Sequence, residues 1–320
     1  MRVRRIAAAV LAIGCVTLSS CASPAYPYAA PPDAGRSAEP VRSVTAPRPP
    51  AKVVGIYNSG VPNSYKLVEK FAKAAGVQPN VVMYFSGWHT LFKTQFADVA
   101  RRHGAVPFVE MQPFGRNIMA KIVAGRFDIY LREYAQEVHS YGGRVLIGFA
   151  HEMNGNWYPW GATHTRPQVF RKAWRHVVTI FRKAGDYNVT WLWIVNGLAP
   201  GEAPIHEWWP GSKYVDLAGV DAYYDQPTQG FSSVFDPTFD AIRKLTSKPI
   251  LIAETGIGPA TGQAAKLRDL FAGVETTKNL LGFVYFDQYQ NNGIYHQDWQ
   301  IDNNPRALAA FGKGAKQYLS

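Results

Sequence analysis

The sequence contains almost no cysteine. Its 320 residues include two, Cys15 and Cys21, and both lie close to the amino terminus. The chain beyond Cys21 therefore lacks a disulfide framework, a thiolate metal site and a cysteine nucleophile. This excludes disulfide-stabilised scaffolds and cysteine hydrolases as classes for the folded part of the chain.

Several catalytic and binding motifs are also missing. The sequence has no Gly-x-Ser-x-Gly elbow, which argues against a serine hydrolase. Gly155 stands four residues after His151, where a zinc-binding helix would need a second histidine, so we predict no metal site. The basic residues form no continuous run despite a formal net charge of +11, and we expect no nucleic-acid partner.

Aromatic residues are abundant, by contrast. They make up 13% of the chain and include nine Trp. Trp side chains can stack on the flat apolar faces of ring-shaped ligands, but they also fill large cores, so composition leaves both interpretations open. The length of 320 residues accommodates one (β/α)8 barrel, which needs about 250 residues.

The amino terminus is typical of an export signal. Three arginines precede the apolar run Ile6–Leu18, which is too short to span a bilayer. The segment Leu18-Ser19-Ser20-Cys21 resembles a bacterial lipobox, which implies that Cys21 is lipidated and becomes the first mature residue. We therefore expect residues 1–20 to be a lipoprotein signal peptide. The protein would be exported and anchored to the membrane through Cys21, or secreted if Cys21 is not lipidated.

Residues 21–50 are rich in proline and alanine and contain few large aliphatic side chains. Such a segment buries too little apolar surface to offset the entropy of ordering it, so we predict a tether. We expect residues 51–320 to form a single folded domain and the protein to be a monomer.

Short apolar runs alternate with amphipathic stretches along residues 51–320. Runs that are apolar throughout are typical of parallel strands that are buried on both faces. Eight such β-α units predict a closed (β/α)8 barrel, the TIM barrel, with an open doubly wound sheet as the alternative. The predicted strands are Val53–Tyr57, Val81–Phe85, Ala105–Glu110, Arg144–Phe149, Val189–Val195, Leu217–Asp221, Ile250–Ala253 and Leu281–Phe286. The clearest predicted helices are Ser64–Ala75, Phe127–Tyr141, Arg166–Ala184 and Phe235–Thr246.

Polar and aromatic residues follow seven of the eight predicted strands. The active site of a (β/α)8 barrel lies at the carboxyl ends of its strands, so we expect these residues to line one cleft. The candidate substrate-binding residues among them are Trp88, Glu110, Trp193, Asn196, Asp221 and Asp287.

Two glutamates occupy the ends of the fourth and seventh strands, which lie roughly opposite each other across the barrel mouth. A lone glutamate would be assigned to the surface, whereas Glu152 and Glu254 together can flank one glycosidic bond. The aromatic run Trp157–Trp160 follows Glu152 and would raise the pKa of its carboxyl by partial desolvation. Tyr223, on a neighbouring strand, is a natural hydrogen-bond donor to Glu254.

Four segments resemble glycoside hydrolase family 26. They are His151-Glu152-Met153-Asn154-Gly155-Asn156-Trp157-Tyr158-Pro159-Trp160-Gly161, Trp191–Asn196, Asp221–Tyr224 and Ile252–Gly256. The resemblance extends from about Lys52 to Ser320, and it implies a (β/α)8 barrel, retention of anomeric configuration and no cofactor. Members of this family are mostly endo-β-1,4-mannanases, with β-1,3-1,4-glucanases and β-1,3-xylanases as minorities.

The same resemblance implies roles for five residues. Glu152 would be the acid/base and Glu254 the nucleophile. His151 would contact the sugar near its 2-hydroxyl at the cleavage subsite. Trp157 would be a stacking platform, and Tyr223 would hold Glu254.

Two positions depart from the pattern of the mannanases. Gly148 stands where they commonly carry an arginine, and Tyr285-Phe286-Asp287 ends the eighth strand, where they commonly carry a tryptophan. We predict an endo-acting retaining β-glycanase that binds a polysaccharide or oligosaccharide and hydrolyses β-1,4-mannan or a related β-glycan. The alternatives are a mixed-linkage β-1,3-1,4-glucanase, a β-1,3-xylanase, an enzyme that trims envelope polysaccharide, and a non-catalytic carbohydrate-binding barrel.

Overall fold

The computed structural model describes residues 49–199, 204–258, 262–289 and 298–320. The predicted signal peptide, the lipidation site Cys21 and nearly all of the predicted tether lie outside these ranges and stay predictions. Within the described ranges, no helix combines the length and the apolar character needed to cross a membrane.

Eight parallel strands close into a barrel in which each strand pairs with the next and the last pairs with the first. This confirms the predicted (β/α)8 barrel and rules out the open sheet. The strands are β1 Val53–Asn58, β2 Val81–Gly87, β3 Val106–Gln112, β4 Val145–Phe149, β5 Val189–Asn196, β6 Leu217–Asp221, β7 Ile250–Thr255 and β8 Leu280–Asp287.

Helices connect the strands and cover the outside of the barrel. They are α1 Lys66–Ala75, α2 Thr94–Arg102, α3 Ile118–Val123, α4 Asp128–Tyr141, α5 Pro167–Lys183, α6 Phe231–Arg243, α7 Gln263–Thr276 and α8 Pro305–Leu319, with a 3-10 turn at Ile205–Trp208.

The predicted bounds of the sixth helix were wrong. We expected Phe235–Thr246, but α6 begins at Phe231 and keeps Pro237 inside it. The early start has a long-range cause, because the backbone N–H of Phe231 donates to the carboxylate of Asp269 on α7 at 2.7 Å. The hydroxyl of Ser233 also accepts from the backbone N–H of Gly230 at 3.0 Å. These contacts stabilise a first helical turn that the local sequence does not predict.

Most of the aromatic content belongs to the core. Six of the nine Trp side chains are almost completely buried, and each of the six packs against other aromatic rings. These six are Trp160, Trp174, Trp191, Trp193, Trp208 and Trp299. The abundance of Trp is therefore explained mainly by packing, and it is weak support for sugar binding.

An irregularity between β6 and β7 brings two acidic residues together. Val220 pairs with Ile252, but the next residue, Asp221, pairs with Glu254, so Ala253 is left without a partner. An extra residue of this kind bends a strand and increases its local twist. The bulge places Glu254 directly beside Asp221 at the carboxyl end of the barrel.

We predict that Gly282→Ala strongly destabilises the barrel. Gly282 has φ +127°, and a Cβ there would lie 1.8 Å from the backbone oxygen of Val53, so β1 and β8 would have to separate. Thermal or urea unfolding should show a loss of about 3 kcal/mol or more. Gly104→Ala is the matched control, because Gly104 has φ +77° with open space around the added Cβ. It should lose only about 1 kcal/mol. Equal losses in the two variants would contradict the close approach of β1 and β8.

Candidate active site

Four carboxyl groups are buried together at the carboxyl end of the barrel. Glu110 lies on β3, Glu152 follows β4, Asp221 ends β6 and Glu254 lies on β7. Glu110 and Asp221 have no exposed surface, and Glu152 and Glu254 are each 5% exposed. Burial raises the pKa values of Glu152 and Asp221, and the charges of Glu254 and Glu110 raise both further, so the four groups share one electrostatic environment.

Glu152 is held in an unusual backbone conformation. Its φ is +53°, a left-handed value that costs an L-residue about 1–2 kcal/mol. Its backbone N–H donates to the carbonyl of Ile194 on β5 at 3.0 Å. Its Oε2 accepts from the indole N–H of Trp157 at 2.8 Å. The loop therefore fixes both the backbone and the side chain of this residue.

Glu254 accepts a hydrogen bond from the phenol of Tyr223 at Oε2. The predicted contact between these two residues is therefore present in the structure. Tyr223 is itself packed against Phe286 and Trp299, which limits its rotation. The phenol can thus orient the carboxylate while leaving the other carboxylate oxygen available for chemistry.

His151 is enclosed by partners on several sides. Its Nδ1 lies 2.8 Å from Oε2 of Glu110, and its Nε2 lies 3.1 Å from the hydroxyl of Tyr158. Its backbone carbonyl accepts from the indole of Trp160 at 2.6 Å. Because the ring is almost fully buried, a sugar hydroxyl would have to replace Tyr158 at Nε2 in order to reach it. The predicted contact of His151 with substrate stays a prediction.

Burial suits Glu152 to the role of a proton donor. Desolvation raises the pKa of Glu152 to about 8, opposed by His151 and reinforced by the charge of Glu254. Desolvation and the neighbouring Glu110 also raise the pKa of Glu254, whereas His151 and the Tyr223 hydrogen bond lower it. A phenol is a stronger hydrogen-bond donor than an indole, so Tyr223 stabilises a charge on Glu254 more than Trp157 does on Glu152.

The other predicted substrate-binding residues are mostly below the surface. Trp193 is fully buried against Trp209. Asp287 is also buried, and its carboxylate accepts from the backbone N–H of Ile301 at 2.8 Å. Glu110 and Asp221 likewise expose no surface to a sugar. Direct contact of these four side chains with substrate stays a prediction.

Two further predicted residues are closer to the surface. The backbone of Asn196 is locked to the side chain of Asn154 by two hydrogen bonds of 2.9 and 3.0 Å. This joins the end of β5 to the loop that carries Glu152. Trp88 is partly exposed and packs edge-on against Phe127 and Tyr130.

The sequence-based interpretation gave no role to Phe114 and treated Tyr158 only as part of an aromatic surround. Tyr158 stacks on Trp160 at 4.4 Å and contacts His151 through its hydroxyl. Phe114 is 43% exposed beside the same Trp160, with 5.2 Å between ring centroids. The position of Tyr158 in the long motif could have indicated its contact. Phe114 carries no such signal, because single apolar residues are common in loops.

Among the described residues, one cluster of side chains has a spacing that could suit a metal ion. Single ligand atoms of Glu110, His151 and Glu254 all lie within 4.8 Å of one another. Two of these residues are already engaged, Glu254 by Tyr223 and His151 by Tyr158. These contacts account for the group without an ion.

We predict that Glu152→Gln stabilises the fold more at about pH 8 than at about pH 5. In the unfolded chain Glu152 titrates near 4.5, and in the folded chain near 8. The unfolded state therefore ionises first as pH rises, and the stability present below pH 4.5 is lost between these two values. Urea unfolding at both pH values measures the difference. Glu133→Gln, on the exposed face of α4, controls for removal of a glutamate. An equal gain from Glu152→Gln at both pH values would contradict the burial of this carboxyl.

The chain is similar to curated proteins that are named as an endoglucanase and as mannan endo-1,4-beta-mannosidases. It is 28% identical over 283 residues to Endoglucanase H of Acetivibrio thermocellus, which covers 81% of this chain and 31% of that protein. It is 24% identical over 185 residues to a mannan endo-1,4-beta-mannosidase of Bacillus subtilis strain 168, which covers 52% of this chain and 47% of that protein. The chain thus spans about a third of the first relative and about half of the second.

The fold has close counterparts among solved structures. The catalytic domain of an endo-beta-1,4-mannanase from Bacillus sp. JAMB-750 matches with a TM-score of 0.62 and 17% identity, over 83% of this chain and 85% of that one. The sequence model of glycosyl hydrolase family 26 matches residues 121–315, which is more than half of the 320 residues. The chain therefore belongs to glycosyl hydrolase family 26.

Proposed function

We propose that the protein is an endo-acting retaining glycanase that hydrolyses internal β-glycosidic bonds by double displacement. The observation that carries this proposal is the buried pair Glu152 and Glu254, each held by its own donor at the end of a barrel strand. Two carboxyl groups with different roles are the minimum equipment for this reaction.

In the first step Glu152 donates its proton to the glycosidic oxygen, and Glu254 attacks the anomeric carbon. The bond to the leaving sugar breaks, and a covalent ester joins Glu254 to the remaining sugar. In the second step Glu152, now a carboxylate, takes a proton from water, and the water displaces Glu254. Two inversions at one carbon give retention.

The assignment of roles rests on the donors and on the family. Tyr223 favours the ionised form of Glu254, which suits a nucleophile. Burial raises the pKa values of Glu152 and Glu254 alike to about 8, so the pKa values do not distinguish the two roles and the donors carry the assignment. The resemblance to family 26 assigns the same roles to the same positions.

The substrate class we propose is β-1,4-mannan or a related β-glycan. Mannan endo-1,4-beta-mannosidases among the relatives support it. Mixed-linkage β-glucan is the second candidate, because the match to an endoglucanase covers more of the chain.

Two features of the structure also indicate that the substrate-binding site differs from that of typical mannanases. A Cβ at Gly148 would lie 2.5 Å from Cδ1 of Ile194, so the Ile194 side chain would have to shift before an arginine could stand there. Tyr285 is fully buried with its hydroxyl bonded to the carbonyl of Trp299 at 2.9 Å, so it offers no ring to a sugar.

Export and anchoring through Cys21 are part of the proposal. The lipobox-like segment and the proline-rich residues after it support a domain held at the cell envelope. Trimming of envelope polysaccharide would be one role for an enzyme held there.

A panel of β-mannan, mixed-linkage β-glucan, β-1,3-xylan and envelope glycans tests the proposed function. We expect turnover of at least one glycan, with proton NMR showing the β-anomer as first product. Glu254→Ala should lose several orders of magnitude in kcat. Glu152→Ala should regain part of its activity with azide or with an activated leaving group.

Two outcomes would contradict this function. Binding of glycans without turnover would favour a carbohydrate-binding barrel, and an α-anomer as first product would exclude double displacement. Asp186→Asn is a suitable control for both active-site variants, because Asp186 is a buried carboxylate that precedes β5, at the opposite end of the barrel.

A further inference from the structure

Glu110 is a fully buried carboxyl group that the double-displacement mechanism does not use. It has no exposed surface, and its Oε2 lies 2.8 Å from Nδ1 of His151. No lysine or arginine forms an ion pair with it among the described residues. An isolated carboxylate in such a place costs several kcal/mol. Its burial therefore requires an explanation.

The position of Glu110 beside Glu254 supplies that explanation. Ligand atoms of the two residues lie within 4.8 Å, together with a ring nitrogen of His151. Apart from Nδ1 of His151, which lies 2.8 Å from Oε2, no donor among the described residues is hydrogen-bonded to the Glu110 carboxyl. Two adjacent buried carboxylates also repel each other strongly, which favours a single proton between them.

We propose that Glu110 retains its proton and donates a hydrogen bond to the nucleophile Glu254, while neutral His151 fixes the other Glu110 oxygen through Nδ1–H. This proposal rests on the proposed function, in which Glu254 is the nucleophile. Glu110 is then a positioning residue. It acts on Glu254 from below and exposes no surface to a substrate.

The surroundings of the pair fit this arrangement. Nε2 of His151 can accept from the hydroxyl of Tyr158 at 3.1 Å, which leaves the single ring proton on Nδ1. Desolvation raises the pKa of Glu110 to about 8, opposed by its hydrogen bond with Glu254, and desolvation lowers the pKa of His151, opposed by the charges of Glu152 and Glu254; both groups are then neutral near pH 7. Besides Glu110, His151 and Glu254 themselves, the titratable groups that face these three residues are Glu152, Asp221, Tyr57, Tyr158 and Tyr223.

The arrangement gives Glu254 two donors, Tyr223 on one side and Glu110 on another. Tyr223 lowers the pKa of Glu254, and a protonated Glu110 would do the same, whereas an ionised Glu110 raises it. The carboxylate form of Glu254 attacks in the first step and departs again in the second. The Glu110 proton stays on Glu110 throughout. Gly148 pairs with Glu110 between β3 and β4, and it brings no cation to the nucleophile. A neutral acid therefore has the stabilising role that a nearby positive charge would otherwise have.

Kinetics of two variants test the proposal. Glu110→Gln keeps a neutral donor of the same shape, so the acid limb of the kcat/KM profile, which reports ionisation of Glu254, should stay in place. Glu110→Leu has no donor. Its acid limb should move to higher pH by about one unit, with kcat/KM about tenfold lower at pH values below the limb. Asp186→Asn is the control for loss of a buried carboxyl and should leave the limb unchanged.

Infrared spectroscopy provides a readout that does not need activity. The spectrum of wild type minus that of Glu110→Gln near neutral pH should contain the C=O band of one protonated carboxyl. A lost carboxylate band instead would overturn the proposal. The proposal would also be overturned if the acid limb of Glu110→Leu stayed at the wild-type pH or moved to lower pH. It would be overturned as well if the acid limb of Glu110→Gln moved as far as that of Glu110→Leu. Absence of glycan turnover by the wild type would contradict the proposed function alone, because the infrared band still reports the proton on Glu110.

Discussion

Repulsion among buried carboxyl groups is the constraint on which the site depends. Glu110, Glu152, Asp221 and Glu254 lie at one end of the barrel with little or no exposure to water. His151 is the one side chain in this cluster that can carry a positive charge. Four negative charges cannot coexist in such a place, so most of these groups must hold protons near neutral pH. The few donors nearby, Tyr223 and Trp157 above all, decide which group is ionised.

The barrel brings these groups together from distant parts of the sequence. Parallel strands all end on the same side, so residues from β3, β4, β6 and β7 meet there although they span almost half of the chain. Local irregularities then refine the positions. The bulge between β6 and β7 sets Glu254 beside Asp221, and the left-handed backbone of Glu152 turns its side chain toward Trp157. Strain of this kind is typical of residues whose position matters for chemistry.

Much of the fold could be predicted from the sequence, because strands buried on both faces have an apolar pattern that solvent does not obscure. The predicted and observed bounds of β6 are identical, Leu217–Asp221. The bounds of α6 were missed because Asp269, far along the chain, determines where that helix begins. Local sequence patterns contain no information about such a partner.

The proposed catalytic pair and the contact of Tyr223 with Glu254 could also be predicted, since strand order alone places these residues at one end of the barrel. The degree of burial of each side chain could not be predicted. From the sequence we expected Glu110 and Trp193 to line a cleft, whereas both are fully buried. The contact between Glu110 and His151 depends on the twist of β3 against β4 and on the rings packed around it, which no spacing in the sequence reports. The two departures from the mannanase pattern, Gly148 and the end of β8, were informative because a residue common in that family was missing at each.

The most direct test of the account is covalent trapping of the nucleophile. A 2-deoxy-2-fluoro β-glycoside with a good leaving group slows the second step more than the first, so the sugar should accumulate on the enzyme. Mass spectrometry of the digested protein should then locate the sugar on Glu254. Labelling of Glu152 or Glu110, or no labelling of a protein that still hydrolyses the parent glycan, would contradict the assignment of Glu254 as the nucleophile.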